Sequence, residues 1–280
     1  MVHTYSNNKG CEVNVRLNGS YIQVESNLSE GLISTSGFLY VDTIRAFKNW
    51  SQYSASEAPA GSASISLQGK SQIGKIYSRT DYGGTALSIT GTGTNVNHAQ
   101  LDGVNKNGVG VDIDANQIFL NANIFDFNGG TGTGVKSCNT AGRSGHFVRV
   151  TTRTCDTHWN QVNTSSASSY EADMFTVSGD IGYTGATPTS TMSMRIIERG
   201  NATKNSDASG TATITAGDTF VDVTHGVPWT PSISKIRIVP NGALTGLDTP
   251  YINNIGATTF RINISGTLGS NVTFGWSISP

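Results

Sequence analysis

The chain has 280 residues, of which 36% are apolar and 13% charged, with a formal net charge of −1. Ordinary globular domains carry ~25% charged residues, and here no basic run or basic-aromatic interleaving occurs, which argues against nucleic acid and anionic membranes as partners. No stretch approaches the ~18 apolar residues of a membrane span, so membrane insertion is not expected, and the opening MVHTYSNNKG lacks the apolar core of a secretion signal.

Ser, Thr and Asn supply the polarity, and 33 glycines against 7 prolines favour tight turns over rigid linkers. From the start of the chain a 24-residue beat aligns Val15, Leu39, Ala63, Leu87, Val111 and Val135 in one column, and Leu17, Val41, Ile65, Ile89, Ile113 and Ser137 in a second. Eleven of these twelve positions are apolar. Gly84, Gly108 and Gly132 recur on the same beat just before the runs ALSIT, GVDID and GVKSC, where a turn requires φ > 0. A fixed period of ~20–50 residues signals stacked repeats that cover one another's apolar faces. Inside a run the apolar residues alternate with polar ones, as in Val111-Asp112-Ile113-Asp114, which is the period of a strand. The prediction is an all-β chain opening with a right-handed parallel β-helix over 1–140, one beat per coil. Because the beat starts almost at Met1, a covering segment or partner is expected at the first coil's open edge. Residues 43–60, which include Trp50 and Tyr53, read as the least regular loop.

From about residue 141 the beat fails, since Trp159 would follow Val135 and Gln161 would follow Ser137. HFVRVTT, DMFTVSG and TMSMRIIE still read as strands, so residues 141–207 are predicted to be a connecting β neck. NATKNSDASG is the best linker. Beyond it TATIT, TFVDVT, SISKIRIVP, PYINNI, TTFRINIS and VTFGWSIS predict a C-terminal antiparallel β-sandwich over 208–280. Cys11, Cys138 and Cys155 make an odd count without CxxC spacing, and the first two lie too many coils apart for a disulfide. Free thiols fit assembly in a reducing cytoplasm.

The stretches VTHGVPWTPSISKIRIVPNGAL, TPYINNIGATTFRINIS and VTFGWSIS, with Thr224-His225-Gly226, Pro228, Pro231, Phe260 and Phe274-Gly275-Trp276, resemble a small C-terminal module that recurs on phage tailspike and tail-fibre proteins. The resemblance is close within 208–280 and extends to the coil region in architecture alone. It implies a homotrimer of the virion tail, assembled in the host cytoplasm, whose end module aids trimer formation or touches the host surface. It also implies that the coils bind or cleave a bacterial surface polysaccharide. The family's particle-binding head has no counterpart in these residues.

Asp102 and Asp126 lie one beat apart within Leu101-Asp102 and Phe125-Asp126. Coils stack ~4.8 Å apart, so two carboxylates in line would approach the ~5–5.5 Å spacing of retaining glycoside hydrolases. Crowding would raise one pKa and give an acid beside a nucleophile. The alternative pair, Asp112 and Asp114, leaves the same strand face ~6.5–7 Å apart, nearer the inverting range. Either pair equally suits solvated surface groups or caps of neighbouring turns. Trp50, Tyr53, Tyr77 and Tyr82 suit stacking on sugar rings, or packing against the coils or between subunits. Cys155-Asp156-Thr157-His158 with His146 lacks four-ligand spacing, so no metal and no cofactor is expected. GxSxG, HExxH and P-loop signatures are absent from the sequence. Three functions stay open: a phage-type trimeric spike that binds, and in its enzymatic form depolymerises, a surface glycan; a non-enzymatic adhesive or structural fibre tip; and a secreted bacterial polysaccharide lyase or hydrolase of β-helix fold.

Overall fold

The structure is a computed structural model that describes residues 2–5, 11–13, 17–26, 33–35, 37–48, 63–80, 84–104, 107–177, 179–188, 191–200, 208–242, 244 and 249–279. The chain divides into two compact units, the first formed by residues 1–193 with 198–202 and the second by 194–197 with 203–280.

The first unit is a parallel β-solenoid in which each coil gives one strand to each of two sheets. The first sheet runs, in spatial order, β1 (Val2–Tyr5), β3 (Leu17–Ser26), β5 (Leu39–Lys48), β7 (Ser71–Thr80), β9 (Asn95–Asp102), β11 (Phe119–Phe127), β13 (Phe147–Cys155), β15 (Ser168–Thr176) and β17 (Met192–Gly200). The second holds β2 (Cys11–Val13), β4 (Ile33–Thr35), β6 (Ala63–Leu67), β8 (Thr85–Ile89), β10 (Val109–Ile113), β12 (Thr133–Ser137), β14 (Thr157–Gln161) and β16 (Ile181–Gly185). Successive strands in each sheet pair parallel, as stacked coils demand.

Leu87, Val111 and Val135 are register partners and fully buried, so the central columns stack like over like. From β8 through β16 the register partners keep the beat read from the sequence. The earlier coils depart from it. The step from Ile33 to its partner Ile65 is longer than the beat, and the step from Ile65 to its partner Leu87 is shorter. Ala63 therefore stands over Thr85 rather than Leu87, and Leu39 and Val41 lie in the other sheet, paired with Ser71 and Ile73. The loop expected at 43–60 begins as strand, because β5 continues to Lys48. In β5, Val41, Ile44 and Ala46 are buried, and the uneven spacing of the first two breaks simple alternation and hides the strand. The rest of that loop lies outside the described residues.

The solenoid does not stop near residue 140. Val135 pairs with Trp159 and Ser137 with Gln161, so the residues expected to form a separate neck instead carry β13 to β17. These coils keep the backbone register while exchanging aliphatic core residues for large or polar ones. Ser137 Oγ donates to Gln161 Oε1 at 2.6 Å and accepts from Trp159 Nε1 at 3.2 Å, which satisfies polar atoms that would otherwise be costly to bury. Nearby, His146 Nε2 donates to the Ala115 carbonyl at 2.7 Å, so Nδ1 accepts from the Tyr170 hydroxyl at 2.6 Å.

The second-sheet strands β8, β10 and β12 each break strict alternation by burying two successive residues. The first of the two is Ala86, Gly110 or Gly134 in consecutive coils. A Cβ at Gly110 would lie 2.4 Å from Ile124 Cγ2, so the packing there leaves no room for a side chain. Of the three turn glycines, Gly84 and Gly108 have φ of 83° and 141°. Gly132 is required for a different reason, since a Cβ there would lie 2.2 Å from the Phe127 carbonyl oxygen.

The second unit contains two three-stranded antiparallel sheets. One is ordered β18 (Ala208–Ile214), β23 (Val272–Ile278), β20 (Ile236–Pro240), and the other β19 (Phe220–Thr224), β22 (Thr259–Asn263), β21 (Tyr251–Asn253). All six expected C-terminal strands are thus present, with a short 3-10 turn at Ile233–Lys235 as the one helical element among the described residues. Their inner faces share one core that includes Ile214, Val223, Phe260, Ile262, Phe274 and Ile278. Phe260 meets Trp276 edge-on at 5.7 Å.

Candidate functional site

A groove of about 540 Å³ lies on the outer face of the first sheet, lined by Gln100, Asn123, Ile124, Phe125, Asp126, Thr151, Arg153 and Thr154. Strand alternation places its walls. Leu101, Ile124, Thr152 and Met174 point inward and are buried, so Asp102, Phe125, Arg153 and Phe175, one residue further along, point outward. These four form a continuous row across β9, β11, β13 and β15, and Gln100, Asn123, Thr151 and Asp173 form the parallel row on the same face.

The groove's rim depends on two residues in the left-handed region. Asp126 has φ of 64° and Thr154 of 53°, and they lie between the paired positions Phe125–Arg153 and Phe127–Cys155. Each adds one extra outward residue before the chain turns in at Phe127 and Cys155, both fully buried. Non-glycine residues hold φ > 0 only at some cost, which the packed Phe127 and Cys155 side chains compensate.

The sequence sets Asp102 level with Asp126, whereas the structure sets it level with Phe125. Val96 and Ala99 are successive inward residues of β9, but their partners Leu120 and Ala122 stand one residue closer together in β11, and the register shifts there. The two carboxylates still interact. Burial, and next the Asp102 carboxylate, push the Asp126 carboxyl above its ordinary range, and a hydrogen bond from Thr154 opposes them. Asp102 accepts the Val104 N–H at 2.8 Å, the turn-capping use of an aspartate.

The alternative pair is engaged in holding the fold. Asp112 accepts from Asn139 Nδ2 at 2.7 Å, and burial pushes its carboxyl up. Asp114 accepts from the Thr140 N–H and hydroxyl, each at 2.8 Å, and from Arg143 Nε and Nη2 at 3.0 and 3.2 Å. The Arg143 hydrogen bond foremost holds its carboxyl down at about 2. With its oxygens taken by these donors, Asp114 anchors the 139–145 segment.

Of the aromatic candidates, Tyr77 is level with Gln100, one strand beyond the groove, and is half-buried beneath the Arg45 guanidinium, 5.2 Å from its ring centroid. Trp50, Tyr53 and Tyr82 lie outside the described residues. The Cys155–His158 segment is structural. Asp156 accepts the N–H groups of Gly130 and Gly132 at 2.8 and 2.7 Å, and His158 joins Thr152 at 2.7 Å to Asp180 at 3.3 Å. Cys138 and Cys155 are buried free thiols, the latter pushed up to about 12 by burial. Among the described residues no group of His, Cys, Asp and Glu is arranged to hold a metal ion.

Sequence spacing missed Gln100, Asn123, Phe125, Thr151, Arg153 and Phe175. The steps from Asp102 to Phe125, from Phe125 to Arg153 and from Arg153 to Phe175 all differ in length, so no single period aligns them.

No family profile matches the chain, and no curated protein does. Among solved structures it is similar to the tailspike protein gp49 from Pseudomonas phage LKA1, at 10% identity and a TM-score of 0.30, over 99% of this chain and 66% of that one. The chain thus spans about two thirds of that protein's length.

Proposed function

We propose that this chain is a tailspike-type host-recognition protein whose outer-face groove binds a bacterial surface polysaccharide. The observation that carries the reading is the outward row of Asp102, Phe125, Arg153 and Phe175 beside Gln100, Asn123 and Thr151. Apolar rings offer faces to sugar C–H groups, and amide and hydroxyl side chains beside them suit sugar hydroxyls. The groove crosses three neighbouring strands on the outer face of the sheet and is lined by their outward side chains, an arrangement that suits the side-on binding of a polymer chain. Homotrimer assembly through residues 208–280 and location in a virion tail follow from the resemblance of the C-terminal module.

The adhesive form of this function needs the groove alone. The enzymatic form adds Asp126 as general acid, raised by burial and by Asp102, with Asp102 as its carboxylate partner. The binding claim is tested by measuring the affinity of wild type and of Phe125→Ala and Asn123→Ala for capsular and lipopolysaccharide glycans from prospective hosts. Both side chains line the groove from the solvent side, so the variants should stay folded and lose binding by tenfold or more. Undiminished binding would remove the groove from the function.

A further inference from the structure

Arg153 is the one cation among the residues that line the groove. Two other arginines on the same sheet face are paired with carboxylates: Arg149 is bridged to Glu171 at 2.6 Å and Arg199 to Asp173 at 2.7 Å. Arg153 makes no ion pair among the described residues. Its register partners on both sides are phenylalanines, Phe125 and Phe175, and its guanidinium lies 4.4 Å from the Phe175 ring centroid. A guanidinium resting on a ring is fixed in orientation while its in-plane N–H donors stay open. Those donors form a planar fork that matches the two oxygens of a carboxylate. Asp102, the acid in the same row, directs an oxygen to the Val104 N–H rather than to Arg153.

We infer that the groove selects an acidic glycan, binding the carboxylate of a uronic or nonulosonic acid residue on Arg153 while the sugar ring rests on Phe125. The inference rests on the glycan-binding role proposed above. It adds a charge requirement that the aromatic and amide residues alone would not impose.

The test uses surface plasmon resonance of the purified full chain against a panel of bacterial capsular and O-antigen polysaccharides. Each polymer is presented in native form and after carbodiimide activation and borohydride reduction, which converts its carboxylates to primary alcohols. The polymers that bind should carry carboxylates, and reduction should weaken binding at least tenfold. Arg153→Gln should weaken the native polymer by a similar factor and leave the reduced polymer unchanged, while Arg153→Lys, a point charge without the fork, should fall between. Arg153 is exposed, so these variants should keep the wild-type melting temperature, which serves as the folding check. A bound polymer without carboxylates, or one whose affinity survives both reduction and Arg153→Gln, overturns the charge requirement while Phe125→Ala separately judges the groove. Failure of the whole panel to bind contradicts the glycan role and the inference with it.

Discussion

Arg143 closes its guanidinium on Asp114, with Nε 3.0 Å from Oδ1 and Nη2 3.2 Å from Oδ2. Two further donors from Thr140 complete the cage, so one carboxylate at the end of β10 ties down the segment that leads into the next coil. Asp114→Asn keeps the shape and removes the charge. It should cost about 1.5–3 kcal/mol, the range for hydrogen bonds to a charged group, read as a lower melting temperature. Because the folded carboxyl lies at about 2, below its ordinary 3.8, this stabilisation is present above pH 4 and is lost as the pH falls toward 2. The variant should lack that part of the acid transition.

Buried histidines give a second pH dependence at a different place. His146 is pushed below its ordinary 6.5 by burial, and its Nε2 is committed to the Ala115 carbonyl. The unfolded chain therefore takes up a proton that the folded one refuses, and stability should fall as the pH drops below about 6.5. His158 is shifted in the same direction, again by burial first. Melting curves recorded from pH 7.5 to 5 should show the decline, and His146→Gln should flatten it. A melting temperature independent of pH across that range would contradict the neutral, donating imidazole.

The close packing at the Gly110 column can be tested by adding a single methyl group. At Gly110 a Cβ would meet Ile124 Cγ2 at 2.4 Å and the Gly134 carbonyl oxygen at 2.5 Å. Gly110→Ala should destabilise by about 1–3 kcal/mol through overpacking. Among the described residues nothing lies within 4 Å of where a Cβ on Gly19 would stand, and Gly19→Ala should change stability by no more than about 0.5 kcal/mol.

Any chain-shortening activity should run through Asp126. Asp126→Asn should abolish release of oligosaccharide and leave glycan binding intact, as followed by size-exclusion chromatography of the polymer. Unchanged release would reject the assignment.

Much of the solenoid was legible in the sequence because Leu87, Val111 and Val135 carry an aliphatic column at constant step. The neighbouring coils were harder to read for two physical reasons. Insertions between strands do not disturb the stack, so the long step from Ile33 to Ile65 and the short one from Ile65 to Leu87 keep the sheet while breaking the period. Further along, Trp159 and Gln161 occupy core columns because Ser137 and the Trp159 indole satisfy the Gln161 oxygen, a pairing that only spatial neighbours reveal. The groove was less legible still. Asp126 could be singled out from its spacing to Asp102, with which it does interact, yet its outward position comes from a left-handed backbone, and the residue level with Asp102 is Phe125.

The most direct measurement of the central claim is a crystal structure of the chain with an oligosaccharide cut from a polysaccharide that it binds. The sugar should lie along the first sheet's outer face, with a ring on Phe125, hydroxyls at Gln100 and Asn123, and a carboxylate at Arg153. An oligosaccharide bound elsewhere, with this groove empty, would contradict the account.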